Sequence, residues 1–341
     1  MDLEGRPSLL TLEGGLMNPT SDVREWRLVS RTDLWTGDVD RRGERLISTG
    51  LLGSIRWWSE VVIRGLGGSA CDPTRGENRC PDSERKPADA GHHCAVCELF
   101  GCTDWARKFR FEVRDSEGNV LGQKITKGKH FVLRFTSLRP IRPEEWALLD
   151  LTLRLIGGYG AMGGKTVLKP SDEAARATRP HHRDYGLVEI ERRPVIEPVP
   201  HTQLASYVRD DRWRRPPQDE FAWASLSNFW CVNGRYLARK TAYQSTFNKV
   251  LGRKEPKTQA QQLEAVNRPV SAWLAGRQQE GKKVFSFKDP PRTFGFVHPG
   301  LISFAQMQER LEGVWGTLRP GEFMTGQAIL EELVRERGGG T

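Results

Sequence analysis

The chain has 341 residues, of which 37% are apolar and 28% charged, and its formal net charge is +9. That length accommodates two domains of ordinary size, each with its own core, and the balance of apolar and charged residues excludes a disordered tail. The longest apolar stretch, Leu148 to Leu155, is broken by Asp150 and Arg154, which excludes a membrane span.

The N-terminus opens acidic and glycine-containing, with no basic stretch leading into an apolar one. A secretory signal is therefore not expected, and a cytoplasmic place is. So basic a chain suits a polyanion, because each phosphate it neutralises releases a counterion. Eleven Trp add faces on which unpaired bases stack, although most of them are expected in the core.

Taken in chain order, Trp26 to Leu34 alternates loosely and predicts a strand. From about Leu51, Ile55, Trp58, Val62 and Leu66 share one helical face, and Gly67-Gly68 ends the helix. Five of the six Cys then follow within a short insertion (about 69–104): Cys71, Cys80, Cys94, Cys97 and Cys102. A reducing compartment disfavours disulfides, so the cluster reads as a metal site. Cys94 and Cys97 form a CxxC knuckle, with Cys71 and Cys80 as the second pair. Four thiolates close a tetrahedral zinc shell, which makes the expected role structural. His92, His93 and Cys102 are the alternative ligands. Pro81 to Gly91 is too polar to bury a core, and a metal clip is the physical means of ordering it.

Beyond the insertion, Phe109, Phe111 and Val113 alternate with charged neighbours from Lys108 to Arg114, which predicts a half-buried strand. A turn at Ser116 to Asn119 leads to a second alternating run, His130 to Thr136. Pro143-Glu144-Glu145 starts a helix that carries Trp146, Leu149, Leu153 and Ile156 on one face as far as Gly157-Gly158. Gly186 to Ile190 reads as a short closing strand. The resulting order, β-α-β-β-α-β, is the ferredoxin-like arrangement also used by RRM domains, in the α+β class.

The glycine-rich loop 157–166 invites two nucleotide-binding readings, and both fail. Gly158, Gly160 and Gly163 match GxGxxG, but the pattern follows a helix where it should follow a strand. Gly164-Lys165-Thr166 resembles the end of a P-loop, yet the first glycine of that motif falls on Tyr159. What remains is backbone able to approach a ligand closely at Gly160, with Lys165, Lys169 and Arg183 for phosphates and Tyr159 for stacking.

Pro194 to Pro217 is a Pro/Arg-rich connection. After it, Arg235, Arg239, Lys240, Lys249, Arg253 and Lys254 interleave with Tyr236, Tyr243 and Phe247, a composition suited to single-stranded RNA. Thr258 to Gln279 reads as a polar helix. Glu322 to Glu336 reads as an amphipathic one, burying Ile329, Leu330 and Leu333. His181-His182 would be the acid–base pair of an RNA-processing endonuclease, but adjacent side chains rarely aim at one atom. No pair of carboxylates is spaced for two metals, so no catalytic residue is expected.

Several segments together carry a family resemblance: Arg56-Trp57-Trp58, Ala70-Cys71-Asp72-Pro73-Thr74, Glu98-Leu99-Phe100-Gly101, the glycine-rich loop, Trp273-Leu274-Ala275-Gly276-Arg277 and Arg292-Thr293-Phe294-Gly295-Phe296. From about residue 24 onward the chain resembles the RAMP superfamily of CRISPR proteins. Within it, the resemblance is to the first subunits of type III-B Cmr effector complexes. It implies an extension (1–23), a ferredoxin-like domain with the zinc insertion (24–193) and a second such domain with a helical insertion (194–341). It also implies a non-catalytic subunit at the head of a ribonucleoprotein, contacting the 3′ region of a guide RNA and the incoming target single-stranded RNA. The sixth and fourth Cmr subunits are the implied neighbours. Its RNA-contacting loop is matched by Gly158, Tyr159, Gly160, Gly163, Gly164 and Lys165, without the further arginines of many relatives. Arg56 joins the candidate RNA contacts. A stand-alone zinc-stabilised RNA-binding protein is the other alternative.

Overall fold

In the computed structural model, residues 22–335 are described except 39, 41, 73–75, 77, 165–169, 178, 218–220, 242, 254–267 and 277–280. Two four-stranded antiparallel sheets share one topology. The first half runs β1 (Val23–Ser30), α1 (Ser48–Gly65), α2 (Ala95–Phe100), β2 (Phe109–Arg114), β3 (His130–Ser137), α3 (Pro143–Tyr159), α4 (Ala174–Ala177) and β4 (Val188–Arg192). Its strand order is β2-β3-β1-β4. The second half begins with α5 (His201–Arg209) and a 3-10 turn at Leu226–Asn228. It continues through β5 (Phe229–Asn233), α6 (Thr246–Val250), α7 (Arg268–Ala275), β6 (Val284–Lys288), β7 (Pro291–Phe296), α8 (Phe304–Trp315), β8 (Met324–Thr325) and α9 (Gly326–Arg335), with order β6-β7-β5-β8. In each sheet the first and third strands lie at the centre, the ferredoxin-like arrangement twice over.

Two segments differ from their sequence expectation. The Pro/Arg-rich connection contains α5, whose Leu204, Tyr207 and Val208 are buried; the apolar face was hidden among prolines and charges. The C-terminal amphipathic helix starts later than Glu322, because Met324 and Thr325 first pair with Cys231 and Trp230 as the sheet's edge. Ile329, Leu330 and Leu333 are buried as expected.

Burial of the helices explains how the halves join. Every residue of α3 from Glu145 to Ile156 is buried, more than a helix lying on one sheet can bury. One side of the helical layer covers the first sheet, where Trp26 packs edge-on to Phe135 at 5.4 Å and its indole N–H donates to Asp150 at 3.1 Å. The other side meets the second sheet. Trp58 of α1 contacts Phe229 and Phe294 at 5.7 and 5.8 Å, and Trp57 contacts Phe296 at 5.9 Å. Fully burying a Phe stabilises by roughly 1.5–3 kcal/mol, so this seam is strong. Strand alternation divides β5 between two cores: Phe229 and Cys231 face the first half, while Trp230 and Val232 face the helices of their own half.

Neither sheet therefore offers the aromatic face by which RRM domains stack bases. The second sheet is covered on both sides. The outer face of the first carries Glu25, Arg110, Glu112, Arg114, His130 and Arg134, with ion pairs such as Arg134–Glu25 at 3.1 Å and His130–Glu191 at 2.8 Å.

Candidate metal centre and nucleic-acid interface

The Sγ atoms of Cys71, Cys80, Cys94 and Cys97 lie within 4.8 Å of one another, and all four residues are buried. Cys71 Sγ is 3.9 Å from that of Cys94 and 3.6 Å from that of Cys97. A tetrahedron with metal–sulfur bonds of about 2.3 Å has edges of about 3.8 Å, so this spacing fits a single thiolate-bound ion. Donors already point at the sulfurs: Cys80 N–H to Cys71 and Cys94 N–H to Cys80, both at 3.2 Å, and the Arg56 guanidinium to Cys97 at 3.0 Å. Left to themselves the thiols compete for protons. Contacts with neighbouring thiols, then burial, push Cys80 up, and the same sulfur contacts pull Cys71 down. A cation neutralises such a set without sharing protons.

The alternative histidines have other partners, whereas Cys102 lies against Cys97. His93 donates from Nε2 to the Glu98 carboxylate (2.7 Å), stacks on Trp105 at 4.4 Å and meets His92 through their Nδ1 atoms at 2.9 Å. Glu98 continues into the body of the fold: Lys108 bridges it at 2.5 Å to Glu145 at 2.7 Å, and Tyr207 of α5 donates to Glu145 at 2.7 Å. The cysteines belong to the main core cluster.

The glycine-rich loop is clamped from several sides. Trp58 donates its indole N–H to the Ala161 carbonyl at 2.8 Å, and Ser54 Oγ accepts from Gly163 N–H at 3.0 Å. Met162 N–H donates to Gly186 and Gly164 N–H to Trp35, at 2.7 and 2.8 Å. From the second half, Arg292 donates to the Gly157 and Gly160 carbonyls. Gly160 is buried, and its N–H serves the end of α3. The Tyr159 ring is 6% exposed, with its hydroxyl donating to Glu332 at 2.7 Å. Stacking there would require the ring to leave this place. Lys165, Lys169 and Lys254 lie outside the described residues.

Beside this loop the two halves bring basic residues together. Arg183, Lys127 and Lys288 line a cavity of ≈ 410 Å³ with Thr32, Asp33, Ser171, His182, Asp184 and Asp289. Adjoining it, Lys240 and Lys288 both donate to Asp172, at 2.7 and 2.6 Å, and Arg239 pairs with Glu173 at 2.7 Å. Lys127 pairs with Asp289 at 2.6 Å, and Arg183 with Asp33 at 3.6 Å. Burial opposes ionisation of Asp172, but the hydrogen bonds from Lys240 and Lys288 outweigh it and hold its pKa below the ordinary value. Asp184 behaves oppositely. Burial pushes it up to about 6 against two backbone N–H donors, from Lys288 and Asp289 at 2.9 Å each.

Of the sequence candidates, Arg183, Arg239 and Lys240 converge here and others do not. Arg56 serves the sulfur cluster and also donates to the Gly101 carbonyl at 2.7 Å. Arg235 braces Glu322 at 3.0 Å and the Trp315 carbonyl at 3.2 Å. Arg253 follows α6, partly withdrawn from solvent, and burial lowers its pKa. Lys127 and Lys288 went unnoticed in the sequence, and Arg292 was noticed only as part of a family motif, with no role assigned to it. The basic run Lys124 to Lys129 was the available signal for the first; for the others there was none, because their partners are distant in the chain.

The family model described as the RAMP superfamily matches residues 27–168, from β1 through the glycine-rich loop. Over these residues the chain is similar to the RAMP superfamily. No curated protein matches the chain by sequence. Among solved structures, Cmr1 from Pyrococcus furiosus in its apo form is similar at 10% identity and a TM-score of 0.39, covering 93% of this chain and 97% of that one. The Csm3–Csm4 subcomplex of a type III-A CRISPR-Cas interference complex is similar at 16% identity and a TM-score of 0.25, covering 50% of this chain and 75% of that one. The matched segment contributes the glycine-rich loop, and the second half contributes Lys240, Lys288 and Arg292 across the seam. Among the described residues, no helix is long and apolar enough to cross a membrane.

Proposed function

We propose that this chain is a non-catalytic RNA-holding subunit of a cytoplasmic type III-B CRISPR ribonucleoprotein, in the position of its first Cmr subunit. There it would contact the 3′ region of the guide and the incoming target, beside the sixth and fourth subunits. The convergence of Lys127, Arg183, Arg239, Lys240 and Lys288 on one seam beside the glycine-rich loop of a RAMP domain carries the reading. Basic side chains from separated segments form a track for phosphates, and such a track is indifferent to sequence, as suits a guide that reads its target by pairing. The four-cysteine site is assigned zinc with a structural role, because four thiolates leave no position open for a substrate.

The test is co-purification of a short guide RNA with partner subunits, joined to titrations of single-stranded RNA at several salt concentrations. Arg183→Ala and Arg239→Ala should each weaken unrelated sequences alike and flatten the slope of log affinity against log salt by roughly 0.7. RNA cleavage by the isolated chain, lost in His181→Ala or His182→Ala, would replace this reading by an endonuclease.

A further inference from the structure

The cations of the seam are already occupied by the chain's own carboxylates, and Asp172 shows this most completely. Lys240 Nζ approaches Asp172 Oδ2 at 2.7 Å, Lys288 Nζ approaches Oδ1 at 2.6 Å, and the Tyr236 hydroxyl lies 3.3 and 3.4 Å from the two oxygens. Both ammonium groups also lie over the Tyr236 ring, at 4.6 and 5.9 Å from its centroid. Three donors from two separated segments thus converge on one pair of anionic oxygens, as they would on a phosphate. The lysines remain 39% and 45% exposed, so an incoming anion can reach them.

The carboxylate is not what holds its own backbone in place. Asp172 N–H donates to the Arg239 carbonyl at 2.8 Å, Arg239 N–H donates to the Pro170 carbonyl at 2.9 Å, and Ser171 bridges to Arg239 in parallel. The side chain is therefore able to turn away while the segment leaving the glycine-rich loop stays pinned.

We propose that Asp172 is an internal phosphate surrogate, which an RNA phosphodiester displaces from Lys240 and Lys288 on binding. This rests on the RNA-holding reading and adds how that site is tuned. A lysine with a fixed carboxylate beside it needs fewer mobile counterions, so RNA releases fewer on arrival. Affinity is lowered and its salt dependence flattened, which disfavours loose capture of any passing polyanion. RNA held elsewhere along the chain or by neighbouring subunits supplies the local concentration that drives the exchange.

The experiment titrates a fluorescent single-stranded RNA 20-mer into wild-type full-length protein, Asp172→Asn and Lys240→Ala/Asp172→Asn over a range of KCl concentrations, with melting curves for each. Asp211→Asn is the control for net charge, since Asp211 is 96% exposed and pairs only locally, with Arg215. Asp172→Asn is expected to bind roughly three- to tenfold tighter at low salt, the range given by releasing two partly exposed ion pairs. Its log–log salt slope is expected to steepen by about 0.7. Asp211→Asn should match wild type, and the double variant should lose most of the gain. A folded Asp172→Asn that binds as wild type or more weakly, with unchanged slope, overturns the surrogate and leaves RNA holding intact. No binding by any variant, wild type included, overturns both.

Discussion

Arg292 of β7 donates through Nη1 to the carbonyl of Gly160, at 2.9 Å, across the seam between the two halves. The same guanidinium reaches the Gly157 carbonyl at 3.1 Å and the Asn233 side chain at 3.1 Å, closing the C-terminal end of α3 with a cation where the helix dipole favours one. Burial lowers the pKa of Arg292. Arg292→Lys keeps the charge but loses the fork. It should cost about 2–3 kcal/mol in denaturant unfolding, and hydrogen exchange should quicken in the loop after Tyr159. Unchanged exchange there would mean that α1, Trp35 and Gly186 hold the loop without Arg292.

The sulfur cluster is continuous with the main core, which changes the expected consequence of losing it. An isolated clip would disorder its own insertion and spare the rest. Here Arg56 of α1 bonds to Cys97, and Glu98 leads through Lys108 to α3. Replacing both Cys94 and Cys97 by Ser should abolish the single bound metal, measured by elemental analysis, and lower Tm by roughly 5–10 °C. Wild-type protein purified without chelator and free of metal would refute the site itself.

Two glycines in the loop are required by close approach. A Cβ at Gly160 would sit 2.7 Å from the Trp58 ring, and one at Gly163, where φ is +114°, would sit 2.7 Å from the Trp35 carbonyl oxygen. Gly160→Ala and Gly163→Ala should each destabilise by about 1–3 kcal/mol, by overpacking in the first case and by backbone strain as well in the second. Gly158→Ala is the comparison, since no atom lies within 4 Å of its Cβ position; its melting curve should stay within about 0.5–1 kcal/mol of wild type.

Asp184 gives the protein a pH dependence of definite sign. Its folded pKa is raised to about 6 by burial, so the folded state favours the protonated acid. Stability from this group is greatest below the unfolded value near 4 and declines as pH rises to about 6, above which the penalty is constant. The loss should be about 1–2 kcal/mol after allowance for solvent at the cleft mouth. Asp184→Asn keeps an oxygen to accept from Lys288 and Asp289, and should remove that slope between pH 4 and 7 in urea melts. A variant with the wild-type slope would assign it to another group.

Much of the first half was legible because its signals are local. Alternation at Phe109, Phe111 and Val113, helical spacing at Ile55, Trp58 and Val62, and the CxxC at Cys94 and Cys97 each depend on residues a few positions apart. The second half was harder. β5 is buried on both faces, so Phe229-Trp230-Cys231-Val232 shows no alternation, and α5 lay among prolines and charges. Tyr159 shows the limit of reading a side chain by type: an aromatic in a glycine-rich loop looks available for stacking until the Glu332 carboxylate of α9 is found holding its hydroxyl.

The sequence by itself determined the β-α-β-β-α-β order of the first half, the positive charge and a four-cysteine set able to take one metal. Periodicity and ligand spacing act over a turn or a strand and need no knowledge of the rest of the chain. Only the tertiary structure decided which basic residues act together. Asp172 is 68 positions from Lys240 and 116 from Lys288, and Arg292 is 132 from Gly160. Charges carry no pattern that announces a partner at such separations. Their pairing follows from the packing of Trp57 and Trp58 against Phe229, Phe294 and Phe296, which draws the second sheet onto α1 and sets the rim of the seam.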